Sequence, residues 1–159
     1  MSIALIPGSF DPVTNGHLDI VERTATKFGQ VLVVVARNSR KAPALFAVEE
    51  RLAMLDEVLR HLPNVRARPL RGLLADFALE HEVTAIVKGL RAVTDFDYEL
   101  QMAQLNYRLA GVDTLFMPTA PEHSFLSASL VREVASYGGD VSSMVPPIVA
   151  HRLKERFAP

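Results

Sequence analysis

Two rhythms of apolar residues alternate along the chain. Ile3-Ala4-Leu5-Ile6 is a short apolar run closed by Pro7-Gly8 and predicts a first strand. Over residues 17–28, Leu18, Val21, Ala25 and Phe28 recur at helical spacing. Val31 to Val35 is an unbroken, valine-rich run, the pattern of a strand buried on both faces. Residues 37–46 then read as a basic loop, and Val48, Leu52, Leu55 and Leu59 define a second helix. Val65 to Arg68 is a weaker strand, and 73–81 a short helix. Thr84 to Val87 is a fourth strand that runs into Lys88-Gly89-Leu90-Arg91. A long helix over 95–110, a strand from Thr114 to Met117, and helices from Ser127 to Tyr137 and Pro147 to Phe157 complete the series. Gly138-Gly139 separates the last two.

Strands alternating with helices imply a parallel sheet with right-handed crossovers. The expected fold is a Rossmann-like three-layer α/β sandwich on a five-stranded parallel sheet, with residues 1–159 forming one domain. Ligands of such sheets bind beyond the carboxyl ends of the strands, near a topological switch point. The polar segments 7–17, 37–41, 88–91 and 118–129 each come directly after a strand and would converge on one crevice.

Composition narrows the chemistry. The hydrophobic share of 49% and charged share of 22% are those of an ordinary globular chain. A net charge of −1 gives no bulk attraction to nucleic acid or an acidic membrane. No cysteine is present, which excludes disulfides, thiolate metal sites and cysteine nucleophiles. No apolar stretch reaches the roughly 18 residues of a membrane span, and the first residues lack a signal-peptide pattern. The expectation is a cytoplasmic protein. Neither a Gly-x-Gly-x-x-Gly after the first strand nor a Gly-Lys-Ser/Thr loop occurs, which argues against dinucleotide dehydrogenases and P-loop phosphotransferases.

The first strand leads instead into Pro7-Gly8-Ser9-Phe10-Asp11-Pro12-Val13-Thr14-Asn15-Gly16-His17. Gly8 is read as a tight turn that exposes amides to a phosphate. Asn15 is read as the N-cap of the next helix, which would put Gly16 and His17 in its first turn. A helix start favours an anion, and an imidazole there can donate to a phosphate oxygen. A lone Gly-His pair reads better as a polar turn with a surface histidine; the full run in this place reverses that.

Gly-Ser-Phe-Asp-Pro together with Asn-Gly-His resembles the amino-terminal signature of the nucleotidyltransferase superfamily. Lys88-Gly89-Leu90-Arg91, Asp95-Phe96-Asp97-Tyr98-Glu99 and Ser124-Phe125-Leu126-Ser127-Ala128-Ser129-Leu130-Val131 resemble the phosphopantetheine adenylyltransferase family, over essentially the whole chain. The resemblance implies transfer of the adenylyl group of ATP to 4′-phosphopantetheine, with Mg2+ accompanying ATP. It implies that Ser9 and Phe10 contact ATP, with Ser9 also meeting the acceptor phosphate, and that His17 stabilises the transition state. Lys41 and Lys88 would hold the acceptor phosphate, and Leu74 would touch the pantetheine arm. Gly89, Leu90, Arg91, Glu99 and the segment His123, Ser124, Phe125, Leu126, Ser127, Ala128, Ser129 would bind ATP, Arg91 assisting at the pyrophosphate portion. A homohexamer and feedback inhibition by coenzyme A are further implications.

Read without that resemblance, several of these residues have plainer roles. Lys41 beside Arg40 suits a solvated loop, Glu99 with Asp95 an acidic helix face, and Leu74 plain core. Ser127 and Ser129 suit helix caps, and His123 an exposed histidine. Lys88 and Arg91 are harder to dismiss, because a charge at the end of a buried strand needs a partner. His61, His81 and His151 match no motif. Three positions depart from the family pattern: Ala128 replaces a frequent serine, Lys88 stands where arginine also occurs, and the 37–46 loop carries an extra residue after Lys41. Another adenylyltransferase, such as one acting on nicotinamide mononucleotide, and a non-catalytic nucleotide-binding domain are the alternatives.

Overall fold

The computed structural model describes residues 1–37, 43–91 and 93–159, with backbone alone for 93–95. The strands are β1 (Ile3–Gly8), β2 (Gln30–Val35), β3 (Val65–Pro69), β4 (Ala85–Leu90) and β5 (Asp113–Pro118). The helices are α1 (Asn15–Ala25), α2 (Val48–Val58), α3 (Leu74–Glu80), α4 (Val93–Ala110), α5 (Ala128–Ser136) and α6 (Pro147–Arg156), with a 3-10 turn at Pro121–His123. All strand pairs are parallel, in the order β3-β2-β1-β4-β5.

Strand alternation divides the core between the two faces of the sheet. Val31, Val33 and Val35 join Ala4 and Ile6 beneath Val21, Leu55, Val131 and Leu153, contributed by α1, α2, α5 and α6. Leu32 and Val34 point the other way, joining Leu5 and Ile86 beneath Phe77 and Ala78 of α3. The continuous valine run is thus explained by burial on both sides, and the architecture is the expected three-layer sandwich.

Two strands run further than their apolar runs suggest. β1 continues through Pro7-Gly8, although proline normally leaves a central strand because it cannot donate to the ladder. The carbonyl of Gly8 accepts from Ala36 on the β2 side and that of Ile3 from Thr84 on the β4 side. By alternation Pro7 faces β4. There the pairing of β1 with β4 covers only Ala4 with Ala85 and Leu5 with Ile86, whereas the β1–β2 register runs from Ile3 to Gly8. The missing donor therefore falls where no ladder bond is required. β4 likewise extends to Leu90, held by β5 along its whole length. Loss of pairing between β1 and β4 at the switch point opens the crevice.

Phe28 lies beyond α1, which ends at Ala25, yet it still packs on the core from the adjoining turn. Gly138 closes α5 with a φ of 76°, a left-handed conformation natural to glycine.

Candidate active site

The loop after β1 is built around Phe10. Its backbone has a φ of 48°, unusual for a bulky residue. The buried ring meets the imidazole of His17 edge to face, with centroids 5.1 Å apart. A Cβ on Gly8 would stand 3.0 Å from that ring. The turn freedom expected of Gly8 thus resides at Phe10: Gly8 is not left-handed, and its lack of a side chain makes room for the aromatic ring.

Helix α1 begins one residue earlier than expected. Thr14, not Asn15, is the N-cap, since its hydroxyl accepts from the His17 amide at 3.3 Å. In return the Thr14 amide donates to Nδ1 of His17 at 3.0 Å. This is a capping box with histidine in the place usual for Glu or Gln. Asn15 instead ties its amide to the Met144 carbonyl and its side chain to that of Ser143.

The capping box fixes the chemistry of His17. A backbone amide can only donate, so Nδ1 must offer a lone pair and Nε2 carries the ring proton. Burial, and secondarily the Arg91 charge, lower its pKa from 6.5 to about 4. At neutral pH His17 is an uncharged Nε2–H donor, poorly suited to removing a proton.

The residues after β4 face the same crevice. Lys88 pairs with Glu99 of α4 at 3.1 Å, so Glu99 turns inward and supplies the partner that a charge at the strand end requires. A Cβ on Gly89 would stand 3.0 Å from Ile20, so glycine there lets α1 approach β4. The Leu90 carbonyl accepts from the amide and hydroxyl of Thr119. Arg91 donates to the Leu126 carbonyl at 2.5 Å, joining the end of β4 to the 123–129 segment.

Within that segment the roles separate. His123 packs near Gly16, its Cβ 3.6 Å from where a Gly16 Cβ would be. Ser124 and Phe125 are exposed, while the Leu126 side chain is buried in the core. Ser127 caps α5 by accepting from the Leu130 amide at 3.0 Å. Ala128 opens the helix, and Ser129 accepts from Arg132 at 3.2 Å.

These residues line two adjoining cavities. One, of about 190 Å³, is bounded by Phe10, His17, Ile20, Gly89, Arg91 and Thr119. The other, of about 280 Å³, lies under α4 and takes in Ser9, Leu74, Tyr98, Met102, Asn106 and Thr114. Pro7, Gly8, Lys88 and Glu99 line both. Leu74 is at once part of the α3-side core and a wall of the second cavity.

Sequence reasoning missed two polar residues there. Asn106 is only 6% exposed and lines the second cavity. Thr114 Oγ1 is buried and lacks a hydrogen-bond partner among the described residues. A helix periodicity treats Asn106 as one more polar position, and only the fold shows it turned inward. Thr14 had a signal that could have been read: Thr14-x-x-His17 has capping-box spacing.

Lys41 lies outside the described residues. The three unassigned histidines have local partners: His61 with Glu22, His81 with the Phe77 carbonyl and ring, and His151 with Glu155. A larger hollow of about 670 Å³, between α5 and α6, contains none of the candidate residues. Among the described residues no group of three His, Asp or Glu side chains could hold a metal ion. Glu99, which lines both cavities, is engaged by Lys88, and the buried Asp11 by the Leu45 and Phe46 amides.

Comparisons with known proteins bear on the family and the fold. Residues 5–134 match the cytidylyltransferase-like family model. A phosphopantetheine adenylyltransferase of Streptomyces coelicolor is 55% identical, covering 99% of this chain and 98% of the relative. The enzymes of that name from Frankia casuarinae and Thermobifida fusca are 54% and 52% identical, over 99% of this chain in each case and 99% and 96% of the relatives. A Vibrio parahaemolyticus structure described as a nicotinate-nucleotide adenylyltransferase superposes with a TM-score of 0.74 at 17% identity, covering 100% of this chain and 98% of its own, which bears on the fold alone. A nucleotidyl-transfer fold open at the β1–β4 switch point, a histidine held as a neutral donor, and relatives matched end to end place the chain in the phosphopantetheine adenylyltransferase family.

Proposed function

We propose that the protein transfers the adenylyl group of ATP to 4′-phosphopantetheine, giving dephospho-coenzyme A and pyrophosphate. The observation that carries this reading is the pair of cavities meeting at Gly8, Lys88 and Glu99. ATP occupies the side of His17 and Arg91, and the acceptor occupies the side of Leu74 and Asn106. The unpartnered Thr114 hydroxyl, with Asn106 in the same cavity lining, suits an acceptor arm that carries amides, since buried polar groups need partners.

An oxygen of the acceptor phosphate attacks the α-phosphorus. The bond from that phosphorus to the bridging oxygen of the β-phosphate breaks, and pyrophosphate leaves with the electron pair. With a second pKa of about 6, the phosphate is already mostly dianionic at neutral pH, and no general base is required. The barrier is the approach of two anions, so catalysis rests on positioning and charge stabilisation. Lys88 and Lys41 neutralise the acceptor phosphate, with Ser9 beside it. His17 donates to the α-phosphate as charge builds, and Arg91, Ser127 and Ser129 receive the pyrophosphate portion. Mg2+ would accompany ATP and offset charge on its phosphates, and no cluster of three acidic or histidine side chains among the described residues would hold it.

The protein acts as a homohexamer in the cytoplasm. Supporting assembly, Leu79, Leu105, Tyr107, Leu109 and Leu115 are large apolar residues left exposed on α3, α4 and β5. Coenzyme A carries both the adenylyl group and the pantetheine arm and can inhibit by filling both cavities. The direct test is pyrophosphate release from ATP with an acceptor panel that includes 4′-phosphopantetheine and nicotinamide mononucleotide. Release is expected with the first; selective release with the second would overturn the acceptor, and release with none would favour a binding module. His17→Ala should lower turnover by on the order of 10²–10³ with little loss of ATP affinity, as measured by steady-state kinetics and calorimetry.

A further inference from the structure

Phe10 holds a backbone conformation that its residue type disfavours. Its φ of 48° lies in the left-handed region, where a bulky residue persists only if the surroundings over-determine it. The carbonyls on either side of it show what does so. Arg51 Nη1 donates to the Ser9 carbonyl at 2.7 Å, and Arg132 Nη1 donates to the Asp11 carbonyl at 2.5 Å. Phe10 is thus gripped before and after by guanidinium groups from two different helices, α2 and α5. Neither arginine has a part in the chemistry above.

Each grip is itself anchored. Arg51 is only 2% exposed, and it also donates to the Phe46 carbonyl at 3.0 Å and the Ala36 carbonyl at 3.2 Å. A guanidinium fork, with several fixed donors, can hold three carbonyls at once where an ammonium cannot. The Asp11 carboxylate accepts from the Leu45 and Phe46 amides at 2.8 and 2.9 Å, which pins the residue after Phe10. Arg132 is steadied by Ser129 Oγ at 3.2 Å. With its backbone fixed, Phe10 turns a buried ring edge to face against the imidazole of His17, centroids 5.1 Å apart. The Thr14 amide holds the same imidazole at Nδ1.

We infer that Arg51 and Arg132 are positioning residues: by clamping the backbone on both sides of Phe10 they hold its ring against His17 and so aim Nε2–H at the α-phosphate. This rests on the proposed role of His17 and adds the device that sets its direction. The kinetic signature follows from what each neighbour does. Loosening Ser9 or Ser129, which meet the substrates, would weaken binding and raise KM. A donor used only as charge builds in the transition state shows in kcat instead.

The test uses the full-length protein and two variants. Arg51→Lys keeps the charge and loses the fork. Arg132→Met removes the second grip from a partly exposed side chain and remains informative should Arg51→Lys fold poorly. Each should lower kcat by about tenfold, the scale of a small misplacement of a reacting group, with KM for both substrates within about twofold. In the free protein, an NMR titration should find the His17 pKa raised from about 4 toward 6.5, because a loosened ring admits water. Arg91, Lys88 and Glu99, the charged residues lining the same cavity, are the same in every variant. Combined with Phe10→Leu, neither change should lower kcat much further, since residues acting through one group are non-additive. Unchanged kcat, a loss confined to KM, a His17 pKa still near 4, or additive losses in folded variants would overturn the inference. The titration needs no substrate, so it decides the clamp even if the acceptor panel overturns the proposed function; the kcat comparison then uses the acceptor that the wild type selects.

Discussion

His17 shows how one residue carries both a structural and a chemical requirement. By accepting the Thr14 amide through Nδ1 it completes the start of α1, and the same bond leaves the proton on Nε2. Burial then opposes charging, which holds the pKa near 4 rather than 6.5. A nitrogen-detected NMR titration should find His17 as the Nε2–H tautomer, protonating only near pH 4. A midpoint near 6.5 would contradict the assignment. The depressed native pKa also sets the sign of the stability effect. His17 takes nothing from stability above pH 6.5, and its contribution becomes progressively unfavourable as pH falls from 6.5 to 4, where the unfolded chain binds the proton first. Sequence alone revealed His17 because of its motif, but not its tautomer. That depends on Thr14, which caps the helix while Asn15 bonds to residues 143–144 instead.

Among the elements, β1 with its loop and β4 with its tail carry most of the site. The apolar runs located both strands, yet they stopped at Ile6 and Val87, because proline and lysine break a hydrophobic pattern even where the backbone remains extended. The glycines at these ends act through space rather than through turn conformation. Gly8→Ala should push on the Phe10 ring, which already has a left-handed backbone and packs against His17. We expect a loss of about 1–3 kcal/mol in denaturant melts, typical of an overpacked core, with a fall in turnover larger than any fall in acceptor binding. Unchanged turnover would show that the Phe10–His17 contact is dispensable. Lys88 and Glu99 illustrate a different limit. Each was identifiable as a candidate, but their pairing across the crevice joins β4 to α4 and arises from topology, not from sequence spacing.

For the whole molecule, fold class was the most legible property. The valine run, the alternation of strand and helix, and the placement of polar segments after strands all pointed to a doubly covered parallel sheet. Less legible was how the second cavity is finished, because Asn106 and Thr114 become distinctive only once α4 and β5 enclose it. The exposed apolar residues of α3, α4 and β5 bear on assembly. Light scattering after size exclusion should give a hexamer for the wild type, and Leu105→Asp with Leu109→Asp should yield smaller species that remain folded. A wild-type monomer at micromolar concentration would rule the assembly out.

All of the proposed chemistry turns on which bond of ATP breaks, the one between the α-phosphorus and the oxygen leading to the β-phosphate. Incubating the protein with 4′-phosphopantetheine and ATP radiolabelled at the α-phosphorus decides it. Label is expected in dephospho-coenzyme A, formed in step with unlabelled pyrophosphate. Label recovered in ADP, or left in ATP while the acceptor stays unmodified, would refute adenylyl transfer.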